Sequence, residues 1–138
     1  MRTLLDTDVI SQATKDQPNE HVLEWIDEQE EDDLFLSVAT LLEIRVGIES
    51  IDPGRKREKL ERWLVHDLPE RFDGRIVPVE RHAADLAARI MVRSRRDGWH
   101  LQPMDSLIAA TAMVNDMALA TLNRKDFERL SSLTLVEF

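Results

Sequence analysis

The chain predicts an α/β fold: a three-layer α/β/α domain around a mostly parallel central sheet of about five strands. Three observations carry that expectation. Short apolar runs of strand type alternate with longer segments of helical period, the pattern of βα units in which each strand is followed by a crossover helix. A length of 138 residues suits one domain with a real core and is too short for two comfortable ones, so residues 1–138 are read as a single unit. A composition of 43% hydrophobic and 33% charged residues is that of a globular chain rather than a disordered one.

The elements follow in order. TLLDT (3–7) is the first strand, its apolar pair leading directly into Asp6 and Asp8. Pro18 and Asn19 then open EHVLEWIDEQ, in which Val22, Leu23, Trp25 and Ile26 lie along one helical stripe. The acidic run EQEEDD (28–33) is a solvated helix exit to which no chemistry is assigned. LFLS (34–37) is the second strand, and in VATLLEIRVGI the residues Leu41, Leu42, Arg45 and Val46 set a helical rhythm. Pro53-Gly54 is a natural boundary before RKREKLERWLVHDL. RIVPV (75–79) is the third strand; the alanine-rich ERHAADLAARIMVRSRRDG after it ends in basic residues and Gly98, a helix-stop signal. DSLIAATAMVNDM is a further helix, with Asp105 or Ser106 placed to cap its first turn. ALAT (118–121) and LTLVEF (133–138) complete the strands.

Composition narrows the function. With no cysteine, neither disulfides nor thiolate metal sites are available, which suits a reducing compartment. No apolar run approaches the roughly 20 residues that span a bilayer, and MRTLLDTD lacks the apolar stretch of a signal peptide; a cytoplasmic protein without membrane partners is expected. The net charge of −9 disfavours nucleic acid, unless a metal supplies positive charge locally or the basic residues are clustered. They are clustered, in RKREK (55–59) and RIMVRSRR (89–96). Arg89, Arg93 and Arg96 share one helical face and are candidates for phosphate contact, although such a face can equally be a solvated surface.

In a parallel sheet, residues at the carboxyl ends of the strands gather along one edge, where ligands bind. Asp6 ends the first strand, Glu43 lies on the helix after the second, Asp105 opens an apolar helix, and Asn123 and Asp126 follow the fourth strand. Crowded carboxylates repel, and one would take up a proton unless a cation intervenes. Oxygen ligands suit magnesium or manganese far better than zinc or copper, and such an ion can activate water and polarise a phosphoryl oxygen. Each acid also has a plainer reading: a lone Asp105 is more often a helix cap, and Asp8 can cap the turn after the first strand. His21, His66, His82 and His100 lack metal-ligand spacing, and Trp25, Trp63 and Trp99 read as packing anchors.

LLDTDVIS, SVATLLEIRVGI, MDSLIAATAM and ATLNRKDF, in this order across almost the whole chain, resemble the motifs of PIN-domain ribonucleases of the VapC type, and within them the FitB-like branch. The resemblance implies a PIN-like fold in which Asp6, Glu43 and Asp105 hold magnesium or manganese. The fourth position is Asn123 here, a neutral amide that should bind metal less strongly or hold only a water, leaving Asp126 as a contributor. It further implies a toxin of a toxin–antitoxin pair that cleaves RNA until a small partner blocks the site. A chain of net charge −9 with a carboxylate cleft should attract a small basic antitoxin, expected to bind DNA with its other half. A homodimer is expected partly from the resemblance and partly from the excess of apolar helix faces, with Trp63 and Leu64, in an otherwise highly charged helix, as interface anchors. Two other classes stay open. LLDTDVI also resembles the first motif of haloacid-dehalogenase-type phosphatases, with Asp6 as nucleophile, although no lysine motif or later paired-acid motif accompanies it. The third is a non-catalytic PIN-like module gripping a basic partner.

Overall fold

The computed structural model describes residues 1–138, and its architecture is the expected α/β/α sandwich on a wholly parallel sheet. Strands β1 (Thr3–Leu5), β2 (Leu34–Ser37), β3 (Ile76–Val77) and β4 (Ala118–Ala120) lie in the order β3-β2-β1-β4. The register pairs Thr3 with both Leu34 and Ala118, and Leu36 with Ile76. Successive side chains of a strand point to opposite faces, so Leu4 and Leu119 enter one core while Leu5 and Ala120 enter the other. Because both faces are covered, β1 and β4 are buried at every position and read as continuous apolar runs.

The sheet is smaller than expected at its ends. LTLVEF (133–138) forms no fifth strand: only Leu135 bridges to Leu119, with Leu119 N–H donating to Thr134 O and Val136 N–H to Leu119 O. The tail then leaves the sheet and sets Phe138 edge-on against Trp25, with ring centroids 5.4 Å apart. RIVPV contributes only Ile76 and Val77, since Pro78 has no N–H to continue a ladder.

The first connection is α1 (Thr7–Ile10), a 3₁₀ turn, and α2 (Glu20–Glu28), whose start is capped by Asn19 accepting from Val22 N–H. Helix α3 (Val38–Glu49) follows β2 at once, with Ser37 Oγ accepting from Ala39 N–H. Helix α4 (Arg55–Arg62) begins after Gly54 and runs through a π turn at Trp63–Asp67 into α5 (Leu68–Arg71). Trp63 is half-buried and Leu64 lies inside this chain's own core, so Leu64 is not an interface anchor: the helix turns it toward Leu68 and Phe72 rather than outward. Helix α6 (Arg81–Arg96) stops at Gly98, which adopts the left-handed φ of +81° that favours glycine.

Helix α7 (Pro103–Val114) starts earlier than Asp105 or Ser106 would place it. Gln102 is its N-cap and Pro103 its first residue, where the missing N–H costs nothing. Neither expected cap therefore caps: Asp105 stands within the first turn, and Ser106 Oγ donates back to Gln102 O. A short helix α8 (Arg124–Phe127) follows β4. The acidic run also has a role beyond solvation. Glu31, ahead of β2, accepts from Arg71 Nε at 2.8 Å and pairs with Arg75, and both guanidiniums stack on the Phe72 ring. No helix is long and apolar enough to cross a membrane.

Candidate active site

Parallel β1, β2 and β4 end at one edge, delivering Asp6, Ser37 and Thr121 side by side. Asp6 is only 3% exposed. Its Oδ1 accepts from Thr7 N–H at 2.8 Å, which makes it the N-cap of α1, and its Oδ2 accepts from Thr121 Oγ at 2.8 Å. Thus Asp6, not Asp8, caps the turn after the first strand, because the strand ends at Leu5 with Asp6 in the extended conformation a cap requires.

Asp8 points back across the edge instead. Its Oδ2 accepts from Leu122 N–H at 3.2 Å, while its Oδ1 is buried with no partner. Glu43, on α3, accepts from Thr7 Oγ at 2.6 Å, and Thr7 Oγ also lies 3.4 Å from Thr40 Oγ. Asp105 is half-buried on the opening turn of α7.

The electrostatics describe one cluster. Burial raises the Asp6 carboxyl to about 7, reinforced by the charges of Asp8 and Asp105 against the hydrogen bonds from Thr121 and Thr7. Asp105 is raised to about 6 by burial first, then by Glu43, Asp126 and Asp8. Asp8 is raised by burial and by Glu43, with the Leu122 N–H opposing. Asp126 is exposed, yet its charge is felt at Asp105. Asn123 offers its backbone N–H to Thr121 Oγ at 3.1 Å and leaves its exposed amide without a hydrogen bond.

No three of these groups are drawn tightly enough to form a ready-made metal cage. The donor set nevertheless fits a hard divalent cation: it is all oxygen, it holds one orphaned buried carboxylate oxygen, and its like charges raise one another's proton affinity.

Thr7, Thr40 and Thr121 are not singled out by the sequence reading, although all three lie inside its motifs, in LLDTDVIS, SVATLLEIRVGI and ATLNRKDF. Arg89, Arg93 and Arg96 lie elsewhere, lining an open groove of about 920 Å³ that none of the five carboxylates enters. The four histidines are exposed, as expected of surface residues.

Comparison with known proteins matches residues 3–133 to the PIN domain family. The toxin FitB of Neisseria gonorrhoeae is 35% identical over 124 residues, covering 90% of this chain and 89% of that protein. The VapC ribonuclease Y4jK of Sinorhizobium fredii is 33% identical over 125 residues, 91% of this chain and 89% of the relative. Among solved structures, FitAcB from Neisseria gonorrhoeae superimposes with a TM-score of 0.88 at 32% identity, covering 98% of this chain and 96% of its own.

Proposed function

This chain belongs to the PIN-domain family, in its VapC and FitB branch, and we propose that it is a cytoplasmic, magnesium- or manganese-dependent endoribonuclease, the toxin of a toxin–antitoxin pair. The observation that carries this reading is the set of buried, mutually repelling carboxylates at the carboxyl edge of the sheet, one of them with an oxygen that no protein group satisfies. Asp6, Glu43 and Asp105 would hold the cation, with Asp126 contributing charge and Asp8 completing the field. When bound, the ion lowers the pKa of a water and polarises a phosphoryl oxygen.

The chain's own groups do the rest. Thr121 fixes one oxygen of Asp6, the Thr7 N–H fixes the other, and the Thr7 hydroxyl holds Glu43 toward the edge, so these acids keep their places despite repulsion. Asn123, with an uncommitted amide at the rim, orients the attacking water or the substrate phosphate. The first motif's likeness to haloacid-dehalogenase phosphatases carries no further weight: Asp6 is enclosed between two hydrogen bonds rather than presented as a nucleophile.

A small basic antitoxin that also binds DNA would inhibit by inserting an arginine among the carboxylates, since a guanidinium pairs two carboxylate oxygens and stays charged when buried. Its apolar contacts have a ready surface in Val38, Leu42 and Val46, an exposed stripe on the helix that carries Glu43. A homodimer, and a larger assembly with the antitoxin, belong to the same proposal. The deciding experiment offers RNA and a phosphomonoester to the purified chain in manganese, with and without its basic partner. RNA cleavage that the partner suppresses is expected. Phosphomonoester turnover, or a partner-free protein that cleaves nothing, overturns the enzymatic reading.

A further inference from the structure

Resting on the ribonuclease reading, we propose that the groove beside α6 is the binding track for the RNA strand, with Arg93, Arg96 and Arg129 contacting its phosphates and Trp99 its bases. The groove joins two regions far apart in sequence: the outer face of α6 with the Trp99 loop that follows it directly, and the turn after α8 with Arg129, Ser131 and Ser132. Arg89 is engaged by Asp85 at 3.1 Å, whereas Arg93, Arg96 and Arg129 make no ion pair. Against these three guanidiniums the groove sets the carboxylate of Asp97, while Asp85 is taken up by Arg89, so it keeps an excess of positive charge in a chain whose net charge is −9, a local field that attracts a polyanion.

The groove's other features favour a single strand over a compact anion. At about 920 Å³ and open along one side, it sits at the upper end of the volumes that enclose small ligands. Trp99 packs part of its ring on the core, as an anchor should, and meets the Arg129 guanidinium 5.8 Å from its ring centre; the part left exposed beside that cation is where a base can make contact.

Its position serves the acidic site. Leu101 N–H donates to Ser94 Oγ at 3.0 Å and Trp99 N–H to Ser94 O at 3.0 Å, folding the loop back on the last turn of α6. That end of α6 therefore meets the start of α7, where Asp105 stands. A strand held by Arg93, Arg96 and Trp99 thus leaves the groove at the end of the helix pair that carries a carboxylate of the candidate active site.

The test uses the full chain and a fluorescein-labelled, mixed-sequence single-stranded RNA, read by anisotropy without divalent ions across a salt series. Changing Arg93, Arg96 and Arg129 together to Gln should weaken binding at least tenfold and reduce the slope of log K against log salt by about 2, at roughly 0.7 for each phosphate no longer neutralised. A second triple variant, Arg55→Gln, Lys56→Gln and Lys59→Gln on α4, removes the same charge and should leave affinity within about twofold. In manganese the groove variant should raise KM with kcat nearly unchanged, as expected when uniform binding is weakened. Equal weakening by both triples, no weakening by either, no wild-type binding, or an altered oligomeric mass in place of altered affinity overturns the proposal. Groove-dependent binding without any cleavage would instead sink the ribonuclease reading and leave the track standing.

Discussion

The two edges of one parallel sheet treat acids in opposite ways. At the amino edge, Glu31 meets Arg71 and Arg75, and the hydrogen bond from Arg71 holds its carboxyl below the usual range. At the carboxyl edge, Asp6, Asp8 and Asp105 meet no cation that satisfies them, and each is raised. The difference teaches which cluster is structural. A half-exposed acid that has found its guanidiniums is finished by folding, whereas buried acids left to repel one another lower stability unless a further cation joins them.

That contrast can be broken most severely at the carboxyl edge. Asp105→Asn should lower RNA cleavage in manganese by a factor of about 1,000 or more, equivalent to about 4 kcal/mol of transition-state stabilisation. It should leave the metal-free fold as stable as wild type or more so, because it removes repulsion. Calorimetry with manganese checks the same point, and equal binding by variant and wild type would refute the site.

The pH dependence of metal-free stability sharpens the comparison next. Asp6 and Asp105 have folded values near 7 and 6, above the ordinary 3.8, so the native state binds more protons than the unfolded chain between these limits. Stability contributed by these groups is therefore greatest below about 4 and falls as pH rises toward 7, by at most about 4 kcal/mol for Asp6. Thermal melts in chelator from pH 4.5 to 7.5 should show the decline, reduced in Asp6→Asn; added manganese in place of chelator should reverse it at the upper end.

Thr121→Val should act more mildly. It keeps the shape but removes the donor to Asp6 and the acceptor for Asn123 N–H, costing about 1–2 kcal/mol in denaturant unfolding and loosening metal affinity about tenfold. Smallest of all, Glu31→Gln should cost under about 1 kcal/mol, as partly exposed pairs do, and leave cleavage unchanged. Its sign in pH is opposite: a lowered carboxyl contributes stability that is lost as pH falls through its folded value. Loss of cleavage in Glu31→Gln would mean that the two edges are not independent.

Much of the frame is legible in the sequence. Asn19 marks a helix start by its side-chain cap, Gly54 and Gly98 mark helix limits, Gly98 by its backbone freedom, and LFLS is a strand over its full length. Asp6, Glu43 and Asp105 could be named because strand–helix alternation implies that they share an edge. Local signals misled where a neighbour in space decided the outcome: LTLVEF has strand composition but pairs at one residue, and Leu64 reads as an outward anchor until the π turn packs it inward.

What the sequence determined by itself is what depends on a few adjacent residues: the alternation of apolar runs, the caps, the turn glycines and the types of oxygen ligand available. What only the tertiary structure decided is which groups meet. Thr121 reaches Asp6 across 115 residues, Leu122 reaches Asp8 across 114, and Thr7 reaches Glu43 across 36, while Arg129 joins the face of α6. Protonation and hydrogen bonding depend on burial and on distances of a few ångströms, and no periodicity along the chain encodes those once a parallel sheet has brought remote strand ends together.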